Sequence, residues 1–362
     1  MGQALGDVLL AEGRFGGKAD RQKCLSYLSA YTVRMSRRQA KKQAAPSRGR
    51  RVVPRAVPEP LAGGWRAQRF GGMTVLRAAA LERLPWLVHG FSTRPGGESR
   101  LGAENVLNLG ATEWDTAEAV AANRAAFLRA VLTAGSRAAD GSVADRLVTL
   151  RQCHSDFIHA VNAVPERMTA GDGLLTQTAG LLLAVRTADC LPILIADTRH
   201  RAVAAVHAGW RGTLARVAEK ALGRMRMQFG TRPEDVVVVL GPAIGGCCYE
   251  VGPEVVQAFA ARFAAAEEWF EGPFTRLAAN DDPAPFPWLS MTPPGHEAPP
   301  ARARLDLRAA NRWQLAAAGV PAEQIVSSEL CTGCRTDLLF SHRRERGRTG
   351  RLLAVIGISG DA

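Results

Sequence analysis

The sequence predicts a mixed α+β fold, in which short buried strands and amphipathic helices follow one another without a regular order. Three apolar runs bounded by turn residues, at 181–187, 192–197 and 202–206, have the composition of buried strands. Two segments, at 114–134 and 212–227, have apolar residues at helical spacing. This irregular interleaving indicates mixed sheets rather than a regular doubly wound sheet.

Folded-type patterning begins near Met73, and the segment before it has a different composition. Residues 1–72 hold 15 Lys and Arg against 4 Asp and Glu, whereas the remaining residues hold 31 against 30. We predict a basic, disordered N-terminal extension at 1–72, or upstream sequence preceding a true start at Met73. Such a tail can bind phosphate backbones non-specifically, but the neutral body gives no reason to expect nucleic acid as a partner.

The catalytic domain is predicted to span 73–362, and its remaining elements follow in chain order. We predict further strands at 146–151, 157–164, 236–244 and 352–358, and further helices at 253–265 and 305–320. The proline-rich segment 271–303 lacks periodicity and is predicted to be a surface insertion.

Several classes of protein are excluded by the bulk sequence. No apolar run approaches the ~20 residues that a membrane span needs, so no membrane partner is expected. The N-terminus does not resemble a secretory signal, because charged residues interrupt its apolar stretch, and a cytoplasmic protein is expected. Seven cysteines, an odd number, favour thiol chemistry or metal binding over a disulfide scaffold.

Three residues follow predicted strands and are candidates for one cleft. His154 follows strand 146–151, Cys190 follows strand 181–187, and His207 ends strand 202–206. A thiolate and two neutral imidazoles suit zinc, with a fourth position left for water or substrate. Their spacings match no local zinc signature, however, and a thiol hydrolase using Cys190 with a histidine fits the same residue types nearly as well.

Other residues near these strand ends have more than one interpretation. Gly209 lets the chain turn after His207 without placing a Cβ in the cleft. Arg94 lies in a glycine-rich loop, where its guanidinium can hold a phosphate or carboxylate or be an ordinary surface group. The CTGC at 331–334 is half of a zinc knuckle, a redox pair or a structural element, and Cys247 and Cys248 either line the cleft or pack.

Five motifs give the chain a family resemblance. FSTRPGG, TADCLPILIAD, VHAGWRGT, GPAIGGCCYEVG and CTGCRTDLLFSHRRERGRTGR resemble motifs of the multi-copper polyphenol oxidase (laccase-like) family. The family is better described as zinc-dependent purine nucleoside phosphorylases and adenosine deaminases, and it has a human laccase-domain member. The resemblance covers about residues 73–358.

The resemblance implies an α/β/β/α sandwich with mixed β-sheets in a single catalytic domain. It also implies metal ligation and catalysis by His154, Cys190 and His207, and substrate binding by Arg94 and Asp172. The implied metal is zinc, with copper the lesser candidate. The implied activity is phosphorolysis of adenosine, inosine, guanosine or methylthioadenosine, with deamination of adenosine. Purine nucleosides and phosphate are therefore the expected partners, and a monomer is expected.

Two alternatives from the family remain open at this point. A copper-dependent polyphenol oxidase is the older description, but a multicopper site needs many histidines and the chain has seven, several without any pattern. A hydrolase that edits cell-wall precursors with Cys190 as nucleophile is the other.

Overall fold

Two six-stranded sheets form the centre of the protein, whose computed structural model describes residues 61–133, 143–274 and 302–360. The first sheet contains, in spatial order, β1 (Trp65–Phe70), β2 (Met73–Ala78), β3 (Leu87–Ser92), β17 (Leu352–Ile358), β9 (Leu182–Thr187) and β6 (Leu147–Val148). The second contains β16 (Ile325–Ser327), β12 (Val236–Leu240), β10 (Leu191–Asp197), β11 (Ala202–Ala208), β8 (Gly173–Thr176) and β7 (Ile158–Ala160). Both sheets combine parallel and antiparallel pairs.

Smaller elements complete the described part of the chain. A small three-stranded sheet contains, in spatial order, β13 (Glu250–Val251), β15 (Ala303–Leu305) and β14 (Phe270–Glu271). A two-stranded sheet contains β4 (Pro95–Leu101) and β5 (Glu104–Val106). The α-helices are α1 (Ala79–Glu82), α2 (Ala117–Thr133), α3 (Trp210–Leu214), α4 (Val217–Phe229), α5 (Pro253–Arg262) and α6 (Leu307–Ala317). Short 3₁₀ turns occur at Ala62–Gly64, Val143–Arg146, Pro233–Asp235, Ala266–Trp269 and Ala322–Gln324. None of the helices described here is both long and apolar enough to cross a membrane.

The two large sheets pack face to face, and helices cover their outer faces. Alternate residues of each strand point to opposite sides. Thus Leu194 of β10 joins a cluster that also contains Val185 of β9, between the sheets, whereas Ile193 packs with α4 and α5. On the other outer face, Ala184 packs with Phe127 of α2. The layers are therefore helix, sheet, sheet, helix, which confirms the predicted α/β/β/α sandwich with mixed β-sheets.

The described fold begins before Met73, where the sequence placed its boundary. Strand β1 pairs with β2 along its whole length, from Trp65 opposite Ala78 to Phe70 opposite Met73. Trp65 is 2% exposed, and its indole packs against Phe91 with ring centroids 5.1 Å apart. Over the first four residues of β1, Trp65 and Ala67 are buried and Arg66 and Gln68 are exposed, as expected of an edge strand with one face in the core. Residues 1–60, the rest of the predicted extension, lie outside the described residues.

The segment predicted as one helix at 212–227 is two helices, and the first begins at Trp210. Arg216 separates them in the left-handed backbone region, with φ 61°. Its guanidinium pairs with Glu219 and lies 4.9 Å from the ring of Phe263. The apolar periodicity continues across this residue, which is why the pattern alone did not locate the break.

Both ends of the predicted insertion at 271–303 belong to the folded domain. β14 and β15 pair antiparallel, with Glu271 opposite Arg304. The interior of the segment, at 275–301, lies outside the described residues.

Candidate metal centre

Three predicted ligands, His154, Cys190 and His207, converge at one end of the sandwich. Each offers one ligand atom, and the three atoms lie within 4.8 Å of one another. Cys190 Sγ lies 3.7 Å from His154 Nε2. The rings of His154 and His207 meet edge to face with centroids 5.0 Å apart.

Strand register brings Cys190 and His207 together. β10 and β11 are antiparallel, with Leu191 opposite Ala208 and Pro192 opposite His207. Cys190 immediately precedes β10, and His207 lies one residue before the end of β11. Because side chains alternate along a strand, both residues share the face that looks toward the other sheet.

Asp172 organises the other half of the centre. It lies directly before β8, which pairs with β11, and its carbonyl accepts a 2.7 Å hydrogen bond from the His207 backbone N–H. Its carboxylate, which is fully buried, accepts from His207 Nδ1 at 2.8 Å and from the backbone N–H groups of His154 at 3.1 Å and Ser155 at 2.6 Å. His154 adopts φ 59°, and these bonds stabilise that left-handed turn.

A second carboxylate, that of Asp189, supports Cys190, the next residue in the chain. Asp189 has φ 99° and is 8% exposed. It accepts hydrogen bonds from Thr332 Oγ1 at 2.6 Å, Ser341 Oγ at 2.7 Å and the Arg343 backbone N–H at 2.6 Å. The C-terminal loops therefore hold the strained turn before Cys190.

The donor set fits a tetrahedral metal ion with one open position. Zinc bonds of about 2.3 Å to sulfur and 2.0–2.1 Å to nitrogen place sulfur and nitrogen ligands ~3.6 Å apart, close to the 3.7 Å between Cys190 Sγ and His154 Nε2. His207 donates from Nδ1 to Asp172, which leaves Nε2 to face the centre. A carboxylate behind a ligating histidine is the usual support in protein metal sites.

Charges at the centre already favour a thiolate. Burial alone would raise the pKa of Cys190, but the charge of His207 and a hydrogen bond from His154 lower it to about 6. Burial alone would lower the pKa of His207, but the charge of Cys190 and the hydrogen bond to Asp172 raise it to about 10. Burial likewise opposes ionisation of Asp172, yet hydrogen bonds and charge from His207, with those from Ser155, lower its pKa to about 2. The pocket thus stabilises a sulfur anion beside a positive charge.

Gly209 leaves the space that the ligands occupy. A Cβ on this residue would lie 3.0 Å from Cys190 Sγ and 3.0 Å from His154 Cδ2, closer than ordinary van der Waals contact. Its backbone is extended, and helix α3 begins at the next residue. The glycine is required here because of close approach, as the sequence suggested.

The resemblance implied that Asp172 and Arg94 bind substrate, but in the structure both side chains are bonded to other protein groups. Asp172 is fully buried and bonded to His207, so its carboxylate supports a ligand rather than facing a substrate. Arg94 donates to Glu345 at 2.7 Å and to Glu104 at 3.1 Å, and its guanidinium lies 5.4 Å from the ring centroid of Phe340. Binding an anion with Arg94 would require it to exchange these carboxylate partners.

Sequence reasoning missed the role of Asp189 and a second group of side chains. Asp189 lies within the TADC motif, but its partners come from the C-terminal loops and only the fold reveals them. Within the described residues, the second group with metal-ligand geometry contains four cysteines: Cys247, Cys248, Cys331 and Cys334. The adjacent pair and the CTGC motif were the available signals, yet their separation along the chain hid their contact.

Comparisons with known proteins agree with the geometry. A sequence model described as multi-copper polyphenol oxidoreductase laccase matches residues 88–359. The chain belongs to this family.

Relatives and solved structures of the family carry names of purine enzymes. The chain is 37% identical over 283 residues to purine nucleoside phosphorylase YlmD of Geobacillus stearothermophilus, covering 75% of this chain and 89% of that protein. It is 35% identical over 222 residues to adenosine deaminase RL5 from an unknown prokaryotic organism, covering 59% and 75%. The crystal structure of the Geobacillus YlmD superimposes with a TM-score of 0.63 at 34% identity, covering 81% of this chain and 98% of that one.

Proposed function

We propose that the protein is a zinc-dependent purine nucleoside phosphorylase that also deaminates adenosine. The convergence of His154, Cys190 and His207 within 4.8 Å, in a chain whose family relatives are named for these activities, is the observation that carries the proposal. The substrates would be purine nucleosides and phosphate. The absence of disulfides among the six described cysteines suits a reducing compartment, and we place the enzyme in the cytoplasm.

The three ligands would hold zinc, which supplies Lewis-acid polarisation when bound. Two buried carboxylates, those of Asp172 and Asp189, hold the ligand side chains in position. Asp172 fixes the His207 tautomer so that Nε2 faces inward, and Asp189 fixes the turn that presents Cys190. Because both carboxylates are buried and fully engaged, the ligands are held before substrate arrives, which lowers the reorganisation that catalysis requires.

A tyrosine and two arginines near the ligands are candidates for contacting the substrate. Burial raises the pKa of the Tyr249 phenol, and the charge of Cys190 raises it further, against the opposing charges of Arg343 and Arg211. The phenol therefore stays protonated at neutral pH and can donate a hydrogen bond. The Arg343 guanidinium lies 5.3 Å from the Tyr249 ring centroid. We assign the phosphate site to Arg211 and Arg343, in place of the ion-paired Arg94.

A thiol hydrolase is the rival supported by one observation, the 3.7 Å approach of Cys190 Sγ to His154 Nε2. Such an enzyme needs one histidine as base, whereas here a second imidazole, backed by a buried carboxylate, faces the same point. A copper cluster gains no support, because His89, His159 and His200 hydrogen-bond to groups away from this centre. In the ranges the structure describes, no further histidine group has metal-ligand geometry.

Product analysis with adenosine tests the proposal. With phosphate we expect adenine and ribose 1-phosphate, and without phosphate we expect inosine. Cys190→Ser and His207→Ala should abolish both reactions, and His200→Gln, whose imidazole pairs with Asp197, is the matched control that should retain them. Arg211→Ala and Arg343→Ala should raise the KM for phosphate with less effect on deamination.

Two outcomes would overturn this assignment. A wild-type enzyme that is inert on adenosine, inosine, guanosine and methylthioadenosine would refute the substrate class. Activity that survives complete removal of metal but not Cys190→Ser would identify the thiol hydrolase instead.

A further inference from the structure

A second cluster of sulfur atoms lies in the loops that follow β12 and β16. Cys334 Sγ is 3.5 Å from Cys247 Sγ and 3.4 Å from Cys248 Sγ, and the sulfurs of Cys247 and Cys248 are 3.8 Å apart. With Cys331, the four sulfurs all lie within 4.8 Å of one another. None of these cysteines forms a disulfide.

From these distances we propose that Cys247, Cys248, Cys331 and Cys334 bind a structural zinc ion, separate from the metal centre at Cys190. Four zinc–sulfur bonds of about 2.3 Å in a tetrahedron place the sulfurs ~3.8 Å apart. The observed spacings are near that value and far above the ~2.05 Å of a bonded pair. A closed set of four thiolates is the donor set of structural zinc and leaves no position for substrate.

One sulfur of the cluster, that of Cys331, accepts hydrogen bonds from backbone N–H groups, as a thiolate does. The Gly245 backbone N–H donates to Cys331 Sγ at 3.2 Å, and the Cys334 backbone N–H also donates to this sulfur. Such bonds stabilise the anionic form of sulfur that a metal requires. Without a cation, four thiolates this close would repel one another.

Glycine within the CTGC motif makes the cluster sterically possible. A Cβ on Gly333 would lie 2.8 Å from Cys248 Cβ and 3.0 Å from Cys248 Sγ. The chain therefore packs its backbone directly against another ligand, as a loop does when it wraps an ion. The C-x₂-C spacing of Cys331 and Cys334 is the one common in zinc sites.

The cluster joins the loop after β12 to the loop after β16, which backbone and side-chain hydrogen bonds also connect. A single β-bridge links Ala243 to Cys331, and the Arg308 guanidinium donates to the carbonyls of Ala243 and Leu330 at 2.7 and 2.6 Å. Cys331 and Cys248 pack against the core, whereas the side chains of Cys247 and Cys334 are exposed. A metal ion held by all four sulfurs would add a direct crosslink between the two loops.

Both of the loops joined by the cluster donate hydrogen bonds to Asp189, the residue before the ligand Cys190. Thr332, between two of the cysteines, donates to Asp189, and the Ile244 backbone N–H donates to the Asp189 carbonyl at 2.9 Å. Zinc at the cluster would therefore stabilise the turn that presents Cys190. Its role is structural, and the proposal does not depend on which reaction the enzyme catalyses.

Metal analysis of the full-length protein tests the proposal. Purified without chelators, the wild type should contain two zinc ions per chain. Cys247→Ser combined with Cys334→Ser should lose one of them, and Cys190→Ser should lose the other. X-ray absorption should show an average of about 2.5 sulfur ligands per zinc in the wild type and about four in Cys190→Ser.

The X-ray absorption measurement needs only the wild type and Cys190→Ser, so it tests the proposal even if the double variant does not fold. The proposal would be overturned if the wild type contained one zinc ion per chain and Cys190→Ser contained none. So would a disulfide among the four cysteines in the freshly purified protein, or copper in place of zinc at the cluster.

Discussion

The Asp172 carboxylate lies 2.8 Å from His207 Nδ1 and accepts, in addition, the backbone hydrogen bonds that shape the turn at His154. One buried side chain thus positions two of the three ligands, although it bonds to no metal itself.

We expect Asp172→Asn to weaken zinc binding by about 10- to 100-fold. An amide presents a donor as well as an acceptor, so it cannot accept from His207 and from all of the backbone N–H groups at once. Competition with a chromophoric chelator would measure the affinity. Ser155→Ala, which removes the hydroxyl donor to the same carboxylate and leaves its charge, is the milder comparison. Equal affinity in wild type and Asp172→Asn would contradict the positioning role.

Gly209→Ala should remove metal from the catalytic centre while the chain remains folded. The added methyl group would lie 3.0 Å from Cys190 Sγ and from His154 Cδ2, so at least one ligand must move. Zinc content and circular dichroism together measure the effect. Gly223→Ala is the matched control, because its Cβ meets nothing within 4 Å in helix α4 and should stabilise the fold by about 0.5–1 kcal/mol. Full zinc occupancy in Gly209→Ala would show that the site tolerates the displacement.

Truncation separates the two possible boundaries of the domain. Removing residues 1–72 deletes β1 and the buried indole of Trp65, which donates to the Ser327 carbonyl at 3.2 Å. Loss of one buried tryptophan costs about 3–5 kcal/mol, so we expect a lower Tm and weaker activity. Removing residues 1–60, which contribute no residue to the described fold, should leave both unchanged. The same Tm for both truncated proteins would show that β1 is dispensable.

His89 should make the fold sensitive to mild acid. It is 2% exposed, its Nε2 accepts a 3.0 Å hydrogen bond from the Ala78 backbone N–H, and burial, followed by the charge of Arg77, lowers its pKa to about 3. In the unfolded chain the pKa is about 6.5, so below that pH the unfolded state binds a proton that the folded state does not. Stability is therefore lost as pH falls from 6.5 toward 3, at about 1.4 kcal/mol per unit.

Urea unfolding at pH 7 and pH 5 measures this effect. Between pH 7 and pH 5 we expect the free energy of unfolding of the wild type to fall by about 2 kcal/mol because of His89. His89→Gln can keep an acceptor for the Ala78 N–H, and its free energy of unfolding should fall by about 2 kcal/mol less. An identical change in both proteins would place the acid sensitivity elsewhere.

Some parts of this structure could be predicted from the sequence because their signals are local. The runs that became β9, β10 and β11 are buried on both faces, so their apolar composition is continuous and their ends are visible. His154, Cys190 and His207 could be predicted as candidates for one cleft because each lies at the end of a predicted strand, but their prediction as metal ligands depended on the family resemblance.

Other features depend on contacts between distant parts of the chain. The four-cysteine cluster joins segments 84 residues apart, and no periodicity connects them. The role of Asp189 depends on partners more than 140 residues away. Strand β1 was not predicted because its sequence, WRAQRF, has few apolar residues and its two arginines, Arg66 and Arg69, lie on opposite faces and interrupt the alternation.

The pairing of β10 with β11 has a consequence for how the protein matures. A shift of one residue in that pairing would turn Cys190 or His207 toward the helices, on the wrong side of the sheet. If the proposed ion binds at this centre, it would bind only when the two strands are correctly aligned, and its binding free energy would stabilise that alignment alone. Metal binding would therefore favour the native pairing of β10 with β11 over pairings shifted by one residue.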